Sequence, residues 1–255
     1  MREHRPPGRG GWWCRRRTPR LLAVVLLLTA FMFLLARLIP TTGPTGGWGG
    51  HGDALWILHV FELLCLVFML LSFVHAWLRW GRFKAVFFFM FALLYGFILE
   101  DITVTYSGYY EYNPNAWIQI HNTMMAVPFC WTAVIYTCLY VIEESAVLNS
   151  LNKLEKGLLA GVLAVSIDVG IDAVFVAYGL WRWAEGQWFA VPMANYTAWF
   201  MAVGGFVTFW SDLDRLRAPQ LFKEIALAAG ITVSYGALLL MVLLTYLVSE
   251  VWFGW

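Results

Sequence analysis

The sequence predicts an all-α fold: a polytopic membrane helix bundle of about seven transmembrane helices, N terminus inside and C terminus outside. Three observations carry this. Apolar residues make up 61% of the 255 residues and charged residues only 13%, too oily and too weakly charged for a soluble domain of this size. The apolar residues gather into runs of about 20, the length a helix needs to cross a hydrocarbon core of roughly 30 Å. Basic residues then concentrate in alternate loops, as the positive-inside rule requires.

In chain order, residues 1–20 form a basic tail in which Arg2, Arg5, Arg9, Arg15, Arg16, Arg17 and Arg20 precede the first apolar run. With a span directly behind it, that cluster reads as a cytoplasmic anchor and not as a nucleic-acid surface. Residues 21–255 form a single transmembrane domain. Its runs lie near Leu21 to Leu38, Ala54 to Trp77, Ala85 to Val104, Thr123 to Ile142, Gly157 to Val176, Met193 to Trp210 and Ile225 to Val248. A signal peptide is the alternative reading of run one, disfavoured by its length and by the lack of a small-x-small site before Pro40. The Gly, Thr and Pro-rich stretch from Thr41 to Asp53 reads as an outer loop. Arg79, Arg82 and Lys84, then Lys153 and Lys156, then Arg215, Arg217 and Lys223 mark the inner loops, whereas the outer ones carry only Arg182. The setting expected is a bacterial cytoplasmic membrane. Of four cysteines, Cys65, Cys130 and Cys138 fall inside apolar runs and Cys14 in the tail, with no disulfide or metal spacing.

The chemistry-bearing stretch runs from Asp168 to Trp199. Asp168 and Asp172, spaced i, i+4, lie on one face of an otherwise apolar helix. Counting about 1.5 Å per residue inward, these two, Glu100, Glu62 and His59 all fall in the outer half of the bilayer. Carboxylates there must face the bundle interior, pair or take up a proton. Such a set fits a polar cavity opening to one side; the plainer reading is hydrogen-bonded packing residues or interface caps. His59 and Glu62, at i, i+3, share a face and are a possible proton relay, with His121 in a loop nearby.

A weak internal echo accompanies the acids. Glu100 and Asp101 precede Gly108-Tyr-Tyr-Glu-Tyr112, Trp117, Val127-Pro128 and Trp131; Asp172 precedes Gly179-Leu-Trp-Arg-Trp183, Trp188, Val191-Pro192 and Trp199. A parallel repeat about the membrane normal accounts for it, as does an aromatic belt met twice at the outer interface.

Several classes fit poorly. Too few histidines lie close enough for a metal centre, and no metal or cofactor is expected. Asp168-x-x-x-Asp172 lacks the second aspartate-rich motif and the basic residues of a membrane prenyltransferase. The seventh run lacks the lysine of a retinal protein. A non-catalytic alternative stays open: a transporter, or a ligand-binding scaffold, using the acids for proton coupling or structure.

From Phe73 to about Trp210 the chain resembles the membrane-integral carotenoid biosynthesis proteins of the bisanhydrobacterioruberin hydratase and gamma-carotene 1',2'-hydratase type. The resemblance rests on Glu100, Gly108-x-Tyr110-x-Tyr112, Val127-Pro128 and Trp131, and more specifically on Asp172, Gly179-x-Trp181-x-Trp183, Gly186, Val191-Pro192, Asn195 and Trp199. It implies addition of water to the terminal C=C of a linear or monocyclic carotene, a hydro-lyase reaction without redox change. The implied partners are a carotene or other polyene, the lipid bilayer and other enzymes of the same pathway. Under that reading Asp172 or Glu100 is the acid and Asp168 its partner or base. Asn195 holds water or hydroxyl, and Trp181, Trp183, Tyr110, Tyr112 and Trp199 face the substrate, because ring faces stabilise a transient cation.

Overall fold

A computed structural model describes residues 55–184, 186 and 190–215. The basic tail, the first and seventh apolar runs, the Thr41 to Asp53 loop, Trp188, Arg217 and Lys223 lie outside the described residues. Within them, runs two to six form five long helices: α1 Leu55–Trp80, α2 Arg82–Ser107, α3 Ala126–Glu144, α4 Lys153–Ala177 and α5 Met193–Arg215. The first four are long and apolar enough to cross a membrane. The fold is mainly helical, but two short antiparallel ribbons add to the expected all-α picture. β1 Tyr110–Tyr112 pairs with β4 Trp181–Trp183, and β2 Gln119–Ile120 with β3 Thr123–Met124.

α3 is the central helix, with 78% of its apolar window buried against 28% for α1. α1 instead turns Leu64, Leu71 and Leu78 outward, as a lipid-facing helix does. One end of the bundle collects Arg79, Arg82, Lys84, Lys153 and Lys156 together with Glu143, Glu144 and Glu155. There Arg79 donates to Glu143 at 3.2 Å and also pairs with Glu144, joining the C-terminal ends of α1 and α3. At the same end Asn152 and Glu155 close a capping box on α4, satisfying orphan N–H groups.

α4 packs most closely on α5, and small residues permit it. A Cβ on Gly161 would meet the Phe200 carbonyl oxygen at 2.6 Å, and one on Gly204 the Gly157 carbonyl oxygen at 2.8 Å. Close backbone approach of this kind is the usual basis of helix association in lipid. At the opposite end, α2 and α4 each stop on a glycine at positive φ, Gly108 at 64° and Gly179 at 69°. Their left-handed turn costs a glycine little, and it sends β1 and β4 back across the bundle end toward each other.

Candidate functional site

β1 and β4 are the two copies of the Gly-aromatic-x-aromatic echo, and they pair with one another. Tyr110 lies opposite Trp183, Glu111 opposite Arg182 and Tyr112 opposite Trp181. This register is symmetric about its central pair, so the two copies are related by a local two-fold. Arg182 also forms an ion pair with Glu111. Alternate residues of a strand share a face, so the outer aromatics of both strands reach down toward the acids.

Glu100, two turns before the end of α2, is buried at 8% exposure. Its Oε2 accepts from the Tyr112 hydroxyl at 2.6 Å and from that of Tyr110, and its Oε1 accepts from Trp131 Nε1 at 2.6 Å. Burial, then the neighbouring Glu100 charge, pushes both phenols well above the usual tyrosine range. They therefore remain O–H donors at any working pH.

Asp168 and Asp172 are each 2% exposed. Asp172 accepts from Trp181 Nε1. The Asn195 amide bridges both acids, donating to Asp168 Oδ2 at 2.9 Å and to Asp172 Oδ2. Trp131 and Asn195 each follow a Val-Pro by three residues at the start of a helix, so each half supplies its own donor from an equivalent place. Trp199 instead stacks on Trp131, ring centres 4.0 Å apart and nearly parallel.

The three acids meet in one cavity of about 40 Å³, walled by Tyr110, Tyr112, Trp181, Trp183, Asn195 and Trp199 and completed by Phe61, Val127, Cys130 and Ile171. Thus Glu100, Asp168, Asp172, Asn195 and all five expected substrate-facing aromatics converge. The expected relay residues do not join them. His59 bonds Glu62 at 3.0 Å and stacks on Trp117, whose N–H donates to Glu62 Oε1 at 2.8 Å, so this pair anchors the loop after β1. His121 is exposed and bonds Asp101 at 3.0 Å. It lines a separate outer basin of about 530 Å³ with Gln119, Asn122, Glu111 and Arg182. The β1–β4 ribbon is the partition: Tyr110, Tyr112 and Trp183 border both spaces. Among the described residues, no three His, Cys, Asp or Glu side chains form a group suited to a metal ion.

In the sequence Val127 and Trp131 belong to the echo but have no part in the expected site, and Phe61, Cys130 and Ile171 have no place in either. Trp131 had a readable signal, its place three residues after Val127-Pro128.

Among the described residues, four helices long and apolar enough to cross a membrane accompany a cluster of buried carboxylates and aromatic rings, which makes this a polytopic membrane protein with a buried acid cluster. The chain belongs to a family of carotenoid biosynthesis proteins, whose family model matches residues 56–254. That match spans the whole site and most of the chain. Neither the curated proteins nor the solved structures gave a match.

Proposed function

We propose that this protein is a carotenoid hydratase, a hydro-lyase adding water across the terminal C=C of a linear or monocyclic carotene. The observation that carries this reading is the convergence of Glu100, Asp168 and Asp172 in one aromatic-walled cavity inside the bundle. In the reaction a carboxyl of the Asp168–Asp172 pair gives its proton to the CH carbon of the terminal C=C, and the C=C electron pair becomes the new C–H bond. The tertiary cation left behind faces the Trp181, Trp183 and Tyr110 rings and the Glu100 carboxylate. Water forms the C–O bond and returns a proton to the other member of the pair, restoring the starting charge. Two acids held in different protonation states are what such a cycle needs.

Asn195 suits this chemistry because its amide ties the two aspartates together while leaving each other lone pairs for water. Phe61, Val127 and Ile171 supply the apolar wall for a hydrocarbon end. The lysines and arginines gathered at the end opposite the ribbon favour an N-inside orientation, in a seven-helix arrangement in a bacterial cytoplasmic membrane, with the substrate drawn from the bilayer and from neighbouring pathway enzymes.

The test is pigment analysis by chromatography and mass spectrometry after expressing the full chain in bacteria that make lycopene or gamma-carotene. A product heavier by one water is expected from the parent, and strongly reduced product from Asp172→Asn. Intact product from both Asp172→Asn and Glu100→Gln would sink the assignment of the acids. Unchanged carotene with membrane-inserted parent protein would instead favour a binding or transport role.

A further inference from the structure

Two buried polar atoms among the described residues lack a hydrogen-bond partner, the indole nitrogens of Trp183 and Trp210. Buried donors are nearly always satisfied, so each calls for an explanation. Trp210 sits among the rings of Phe88, Trp80 and Phe206 in the packed inner core, and it borders neither cavity. Trp183 is differently placed. It borders the acid cavity and the outer basin at once.

The local two-fold says where that N–H is directed. Trp181 corresponds to Tyr110 and Trp183 to Tyr112. In the first half both aromatic tips are spent on Glu100. In the second, Trp181 is spent on Asp172, while the Trp183 N–H lies beside the same carboxylate without reaching hydrogen-bond geometry. The second half therefore keeps one donor in reserve, at the edge of a cavity of about 40 Å³. That volume has room for about two or three water molecules, each needing two or more polar partners.

We propose that Trp183 is the residue that binds the attacking water, receiving it from the outer basin and holding it by its indole N–H against the Asp168–Asp172 pair. This rests on the hydratase reading and names a catalytic residue within it. A donor to the water oxygen leaves one lone pair of that oxygen free for the cation, and the aspartates accept its protons. Without the donor the cation still forms but is captured poorly. It then loses a proton from an adjacent carbon, and the electron pair of that C–H bond reforms an alkene.

The two fates are separable in heavy water, with the full chain in lipid vesicles supplied with lycopene. Protonation is read as deuterium in recovered polyene, capture as alcohol. Trp183→Phe keeps an aromatic face toward the cation but loses the N–H donor and part of the ring, so its alcohol should fall about tenfold, and by more than the label in recovered polyene. Trp183→Tyr, which copies the Tyr112 side of the ribbon, should restore part of the alcohol. Alcohol from Trp183→Phe equal to the parent's would overturn the role of Trp183 alone, and so would parallel loss of alcohol and label. A parent chain giving neither product would overturn this role together with the hydratase reading.

Discussion

Glu100 and Asp172 occupy matching places in the two halves, each about two turns ahead of a left-handed glycine and beneath its own strand, yet their surroundings differ. Three donors, two of them phenols, converge on Glu100. Asp172 has one indole, a share of the Asn195 amide and a second carboxylate, Asp168, one turn away. A carboxylate ringed by donors is fixed in place and has little capacity left for a substrate. An acid that shares a donor with another acid keeps lone pairs to use. The two halves have the same frame, and they differ in how many hydrogen-bonding positions each acid has left open.

The largest test of that contrast pits rate against stability. Asp172→Asn should cut hydrated product by about 100-fold or more, the usual scale of a positioned acid. Glu100→Gln should lower it only about tenfold, through lost cation stabilisation. The order should reverse for stability, because Gln puts an NH₂ group among donors that had an anion. Hydrogen bonds to a charged group contribute about 1.5–3 kcal/mol, so Glu100→Gln should destabilise by about that much in a detergent melt, and Asp172→Asn by less. Equal rate losses would remove the division of labour.

Helix packing gives the next largest effect. An added Cβ at Gly161 meets a backbone oxygen at 2.6 Å, whereas at Gly96 it meets the Trp131 Cβ at 3.1 Å. Backbone cannot yield as a side chain can, so Gly161→Ala should cost about 2–3 kcal/mol and Gly96→Ala about 1, both read from thermal unfolding. Where the halves are alike, effects should be alike. Gly108→Ala and Gly179→Ala each put a Cβ into a left-handed turn with open space around it, and each should cost about 1–2 kcal/mol. A large inequality would show that the two turns are not equivalent.

The smallest effect is spectroscopic. Tyr110 and Tyr112 are raised by burial, then by Glu100, while the unfolded chain releases tyrosine protons near pH 10. Up to about pH 10 both states keep these protons and the stabilisation is complete. Above it the unfolded state releases protons that the fold retains, so stability falls as pH rises. Alkaline absorbance should therefore count fewer than the chain's 11 tyrosines until unfolding sets in. A full count in the folded protein would contradict the buried phenol pair.

Runs two to six were legible because periodicity and length in lipid leave little choice of structure. The acid cluster was legible too, since Asp168 and Asp172 share a helix face and Glu100 lies at similar depth. Depth gives height along the membrane normal and says nothing about direction around the bundle. For that reason Glu62 and His59, at the same height, turned out to brace Trp117 instead of facing the cavity. His121 was near in sequence to the site and still fell on the far side of the ribbon. The ribbon itself was hidden because two three-residue strands far apart in the chain carry no pattern that pairs them. Only their common Gly-aromatic-x-aromatic spacing linked them, and the pairing gives that likeness its physical meaning.

The central pair of the ribbon has a consequence for assembly. On a two-fold axis between identical halves, the central residue would stand opposite its own copy, and any charge there would repel itself. Here that position carries Glu111 on one strand and Arg182 on the other. Opposite signs attract only in the mixed combination, so a first half meeting another first half sets Glu against Glu, and two second halves set Arg against Arg. The ion pair thus acts as a polarity key, favouring the pairing of unlike halves over the pairing of two first halves or two second halves.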